Sequence, residues 1–216
     1  MFKIKDYMRL IFILSFFLYS CNARTLKSIE KLDFPPNVTD TVIKNLQNKY
    51  DLLLISSSNY SKNFTISQNY YILGLKNKDW YKIEYIKKGI YQKDTKPYSI
   101  LIEKYSNKNK GDSIMNIFMK NAFWKIKETD EGCEEEGAAE EYENCFRNLK
   151  TKKEKMEVSN NCGLGSHPNH KLLIVVTKKG AVQKIYTEPE SWEKCLCCPS
   201  SRDRKIFIKC YNAINN

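Results

Sequence analysis

YYILGLKNKDWYKIEYI, residues 70–86, decides the fold class. Two short apolar runs rich in Ile, Leu and Tyr, residues 70–75 and 81–86, flank Asn77-Lys78-Asp79. Runs of this composition read as strands, and the Asn-Lys-Asp between them as the turn of a β-hairpin. Both alternate only loosely, as strands with one well-buried face often do. An antiparallel pair is the seed from which the rest is read.

Working outward, residues 51–55 and 99–105 are further strands of the same kind. Residues 172–176 and 182–186 form a second hairpin around Lys178-Lys179-Gly180, and residues 205–211 a last strand. Upstream of the first strand, Val42, Ile43, Leu46 and Tyr50 fall at helical spacing with Asn37, Thr39 and Asp40 as candidate caps. Gly111-Asp112 reads as a break. Beyond it, Ile114, Phe118 and Ala122 suit a helix face capped by Asp112, while residues 123–127 alternate like a strand. Residues 134–156 read as one helix with Ala139, Tyr142, Phe146 and Leu149 on a shared face. Acidic residues crowd its first turns and lysines its last, complementing the helix dipole. The expected fold class is α+β: a mainly antiparallel β-sheet with two or more helices, stabilised by disulfides. Residues 37–216 are expected to form a single α+β domain. A faint internal similarity, residues 73–85 against 174–186 and 99–107 against 205–213, leaves open a division into two similar β-rich halves, 37–110 and 111–216.

The amino-terminal segment fixes the expected compartment. Lys3, Lys5 and Arg9 precede an uncharged apolar run, residues 10–20, that is shorter than the roughly 20 residues a spanning helix needs. It reads as an export signal. Leu18-Tyr19-Ser20-Cys21 resembles the bacterial lipobox, and the Phe-rich run ending in Ser-Cys-Asn is similar to lipoprotein signals of the Bacteroidetes type. That resemblance implies removal of residues 1–20 as a signal peptide, acylation of Cys21 and a lipid-anchored tether over residues 21–36. It is confined to the signal and implies nothing about the domain. The acidic cluster after Cys21 that resembles a surface-export signal is absent, which points to the periplasmic side of the outer membrane. Cys21-Asn22-Ala23 also offers small residues to a conventional signal peptidase, so release of a soluble secreted factor after Ala23 is the alternative.

The formal charge of +11 invites a polyanionic partner. Of the 36 Lys and Arg, however, only Arg9, Arg24, Arg147, Arg202 and Arg204 are arginine, and the lysines are spread along the chain. No recognised motif focuses them, so no nucleic-acid partner is expected. The eight cysteines are more telling. In an exported chain Cys133, Cys145, Cys162, Cys195, Cys197, Cys198 and Cys210 are disulfide candidates, an odd set once Cys21 is set aside. Cys197 and Cys198 are adjacent and do not bond each other. The Cys195-x-Cys197-Cys198 group is therefore expected to be a hub reaching Cys162 or Cys210, with Cys133 and Cys145 as a candidate pair.

The same third of the chain holds both histidines. A metal alternative for Zn or Cu would draw on Cys162, His167, His170, Cys195 and Cys197. Gly-x-Ser-x-Gly, His-Glu-x-x-His and phosphate-cradling glycine loops are all missing. No catalytic residue and no cofactor is expected, nor enzymatic activity. Trp80, Trp124 and Trp192 could stack a ligand, but core packing is the commoner fate of Trp. The functional expectation is an exported, membrane-anchored lipoprotein with a binding or structural role at the cell envelope. Its expected partners are the membrane, through the lipid anchor, and a protein, peptide or glycan ligand.

Overall fold

The computed structural model describes residues 34, 40–60, 67–89, 98–105, 107–130, 138–162, 169–198 and 200–216. The export signal, most of the tether, Cys21, Cys133, Glu134 to Glu136 and His167 lie outside the described residues. The described residues form an α+β protein built on a mixed, mostly antiparallel seven-stranded sheet with six helices.

The elements in chain order are α1 (Thr41–Lys49), β1 (Leu52–Tyr60), β2 (Gln68–Lys76), β3 (Asp79–Lys87), β4 (Tyr98–Lys104), α2 (Lys108–Lys120), β5 (Thr129–Asp130), α3 (Ala138–Asn148), α4 (Lys152–Asn161), β6 (His170–Thr177), β7 (Ala181–Thr187), α5 (Pro189–Lys194) and α6 (Arg202–Asn215). The strand order is β4-β3-β2-β1-β6-β7-β5, antiparallel except where β5 runs parallel to β7. The expected hairpin is present. β2 and β3 are joined by Asn77 and Lys78, both at positive φ (51° and 67°), the backbone that two-residue hairpin loops require.

β1 is the central strand, pairing with β2 (Leu53 with Gly74) and with β6 (Leu53 with Val176). This position explains why residues 52–55 are apolar without interruption. Leu52 and Leu54 face one layer, Leu53 and Ile55 the other, and all four are buried. On the first face, α2 and α6 cover Leu52, Leu54, Leu73, Leu75, Trp80 and Val175 with Ile114, Phe118, Phe207 and Tyr211. On the second, α1 covers Leu53, Ile55, Ile72, Ile83 and Ile174 with Val42, Ile43 and Leu46. Asp40 caps α1, accepting from the amides of Val42 (2.9 Å) and Ile43 (3.1 Å).

Four expectations are corrected. Residues 205–211 lie in helix α6, not in a strand. Phe207, Cys210, Tyr211 and Ile214 line its buried side, and Ser201 accepts from the Arg204 amide at its start. The contiguous run Ile206-Phe207-Ile208, β-branched and aromatic, mimics a buried strand over a stretch too short to show the helical period. Gly111-Asp112 is not a break. Both sit inside α2, which is capped by Asn107, and Asp112 accepts from the Trp80 indole (2.9 Å). Residues 123–125 form a 3-10 turn. The long acidic helix is two helices, α3 and α4, parted at Thr151, whose hydroxyl and Glu154 form a reciprocal capping box.

α6 is also tied to the far edge of the sheet. The buried Arg204 guanidinium grips buried Asp130 of β5 with two bonds, Nε to Oδ2 (2.8 Å) and Nη2 to Oδ1 (3.1 Å). Removing one partner of such a pair leaves an uncompensated buried charge, so the contact fixes where the helix lies.

Candidate functional site

The disulfides gather in a small third core. Val158, Cys162, Trp192, Cys195, Cys197 and Cys198 are buried together, with Tyr142, Cys145, Phe146 and Leu149 packed against them. Cys145 bonds Cys197 and Cys162 bonds Cys195, binding α3 and α4 to the segment after α5. Cys198 is disulfide-bonded as well. The hub expectation holds at Cys162. The Cys133–Cys145 pairing does not, because Cys145 is taken by Cys197. Cys210, a disulfide candidate, is a free thiol buried in α6 against the first sheet face. Disulfides of this kind belong to an oxidising environment outside the cytosol.

The same bonds occupy three of the five candidate metal ligands. Cys162, Cys195 and Cys197 have no thiolate to offer, and the His170 Nδ1 sits 3.0 Å from the Thr187 hydroxyl across the β6–β7 pair. Among the described residues no group of three His, Cys, Asp or Glu side chains could hold a metal ion. Trp80 and Trp192 are core side chains, and Trp124 packs against the first core.

The described surface has a groove of about 250 Å³ where the covering helix ends. α6 reaches over the first sheet face as far as Asn215, which lines the groove. Ser56, Tyr71 and Glu84 stand in one row across β1, β2 and β3, and Asn69 and Ile86 lie opposite each other in a second. Because side chains alternate, Ser57, Tyr70 and Tyr85 between these rows point to the other face. Asn215 walls the groove. Its amide oxygen accepts from the Ser56 hydroxyl (3.1 Å), and its Nδ2 donates to the Tyr211 carbonyl (2.8 Å).

The electrostatics are balanced. Lys82 Nζ is 2.6 Å from Glu84 Oε1 and 5.5 Å from the Tyr71 ring centroid. Burial, followed by the neighbouring Tyr105 phenol, raises the Tyr71 phenol above its ordinary value, with Lys82 opposing and Glu84 reinforcing the rise. The Tyr71 hydroxyl is therefore neutral, a donor and an acceptor. Burial and then the Glu190 carboxylate push Tyr211 up to about 12, with the Ser58 hydroxyl hydrogen-bonded to it. The groove thus offers hydroxyl and amide groups, one half-buried aromatic ring and an internally neutralised ion pair. It suits a neutral polar ligand better than a phosphate or a cation.

Sequence reasoning did not single out these residues. They are ordinary Ser, Asn and Tyr drawn from three strands and the end of a distant helix, and no local spacing marks them. Comparison of the chain with family models, with curated proteins and with solved structures finds no match.

Proposed function

We propose that the chain is an exported lipoprotein of the cell envelope, anchored through an acylated Cys21, whose domain binds a neutral, hydroxyl-rich ligand of saccharide type in the groove at the end of α6. The observation that carries this reading is the groove's lining. The Tyr71 ring and Ile86 provide an apolar platform for the C–H face of a sugar, and Ser58, Asn69 and Asn215 supply directional hydrogen bonds around it. The lipobox resemblance and the disulfide cluster support export.

Two measurements test it. Intact mass of the mature protein is expected to show an acyl increment on Cys21; a chain starting at Arg24 without lipid would instead establish the soluble secreted form. Titration of the oxidised protein with neutral glucose and N-acetylglucosamine oligomers, followed by amide chemical shifts, is expected to perturb Asn69, Tyr71, Ile86 and Asn215. Tyr71→Ala should weaken that binding by about tenfold or more. Shifts that bypass the groove, or no shifts with any neutral oligomer, would reject the saccharide reading.

A further inference from the structure

Among the described residues seven large apolar side chains are exposed, and five of them lie at one place. Tyr98, Ile100, Leu101 and Ile102 are on β4, and Ile86 is on the neighbouring β3. β4 ends the strand order, so among the described residues one side of its backbone has no partner strand, and all seven of its residues are exposed. At the other end of the sheet β5 is only two residues long, and Arg204 closes over Asp130. β4 carries few of the features that keep an edge solitary. It has no proline, and its only charges, Glu103 and Lys104, sit at its last two positions, with Lys104 already paired to Asp79 (3.0 Å).

We propose that β4 is the seam of a two-fold dimer, pairing antiparallel with β4 of a second copy about Leu101. The sequence YSILIEK is complementary to itself in that register. Leu101 opposes Leu101, Ile100 opposes Ile102, Ser99 opposes Glu103 and Tyr98 opposes Lys104. Every residue of the strand is used, apolar meets apolar and no like charges face each other. Neighbouring registers that keep the faces matched are worse. Centring on Ile100 sets Leu101 against Ser99 and leaves Glu103 and Lys104 without partners in the strand. Centring on Ile102 sets Leu101 against Glu103 and Ile100 against Lys104, and centring on Glu103 opposes two carboxylates.

On the second sheet face, Ile100 and Ile102 extend the rows of Tyr85 and Ile83, so pairing joins the two apolar stripes across the seam. A two-fold axis perpendicular to the sheet preserves its faces, so both copies present their Ser56–Tyr71–Glu84 grooves on the same side. The dimer stands on the edge strand alone and does not depend on what the groove binds.

The test uses the mature, oxidised chain, in detergent where acylated. Sedimentation over rising protein concentration is expected to show the protein mass doubling, and Leu101→Lys, which sets two ammonium groups face to face at an exposed position, should return it to the monomer. A mass that stays monomeric at every concentration overturns the proposal. The register is tested separately by mild oxidation. Leu101→Cys should give a reducible covalent dimer, because opposed residues in an antiparallel pair bring their Cα atoms within disulfide range. Ser99→Cys, displaced from its counterpart by about 13 Å along the strand, should not. Equal cross-linking at both positions, or none at Leu101→Cys, rejects the two-fold seam.

Discussion

Asp40 shows how much one side chain at a helix start can hold together. Besides capping α1 it receives the Tyr85 hydroxyl (3.1 Å) and the Lys87 ammonium (3.0 Å), so it locks the helix over the second face to β3. Burial by itself would raise its carboxyl. The Ile43 amide, Lys87 and Tyr85 outweigh burial and hold it below the usual carboxylate range. A carboxyl whose folded pKa lies below its unfolded value of about 3.9 contributes its full stability above that value and loses it as pH falls through the folded pKa. Asp40→Asn is expected to lower stability by about 1 kcal/mol at pH 7 in urea unfolding. The difference from the parent should shrink below about pH 4 as the parent's own carboxyl is protonated. Cys210 makes the opposite case, a group whose chemistry is suppressed. Burial pushes its thiol up to about 12 against a small opposing effect of Lys209. Since the thiolate is the reactive form, Cys210 is inert in the fold. A colorimetric thiol assay on the oxidised protein is expected to find no reactive thiol in the native state and one after denaturation.

The packing of α2 on the sheet turns on Gly111. A Cβ at this position would lie 2.5 Å from Cδ1 and Cγ of the Trp80 indole, a ring that is fully buried and tied to Asp112. Gly111→Ala gains about 1 kcal/mol of helix propensity. Forcing a methyl into a packed ring is expected to cost more, about 1–3 kcal/mol, so the variant should melt below the parent in a calorimetric scan. The same glycine shows where sequence reading stops. Gly at the start of an apolar stretch signals a break when only local backbone freedom is considered, and the Trp80 contact that gives it another purpose is a tertiary fact. The hairpins, the strand at residues 52–55 and a cap for α1 among three candidates were legible because period, turn residues and caps are local; that the strand is central and that Asp40 is the cap were not. α6 was not, since its first apolar residues, Ile206 to Ile208, run consecutively as in a buried strand before its helical face becomes visible. The α3–α4 boundary was legible in principle, in the Thr151-x-x-Glu154 capping box. Of the groove nothing was legible, because Ser56, Asn69, Glu84 and Asn215 become neighbours only through strand register and the length of α6.

For the molecule as a whole, the disulfides complete what the helices begin. The bonds close loops of 52 and 33 residues, and constraining such loops in the unfolded chain is worth about 4 kcal/mol each. Replacing Cys145 and Cys197 together by Ser is expected to lower stability by about 3–4 kcal/mol in denaturant unfolding. Counting takes the pairing further. Cys145, Cys162, Cys195 and Cys197 are bonded among themselves and Cys210 is free, so the acylation of Cys21 proposed above predicts Cys133 as the partner of bonded Cys198. Peptide mapping without reductant is expected to recover those two residues in one cross-linked fragment, and a Cys21–Cys198 fragment would contradict acylation directly.

The position of β1 has a consequence for the life of the chain before it is folded. Its partner on one side, β2, follows at once, but its partner on the other is β6, and Leu52 must wait for Thr177. Closing so long a loop makes for high contact order and slow collapse, and until β6 arrives the apolar run 52–55 has an open edge. A nascent chain that has emerged only as far as β4 therefore cannot complete its central sheet. For that interval Leu52 to Ile55 are open to pairing with a wrong strand.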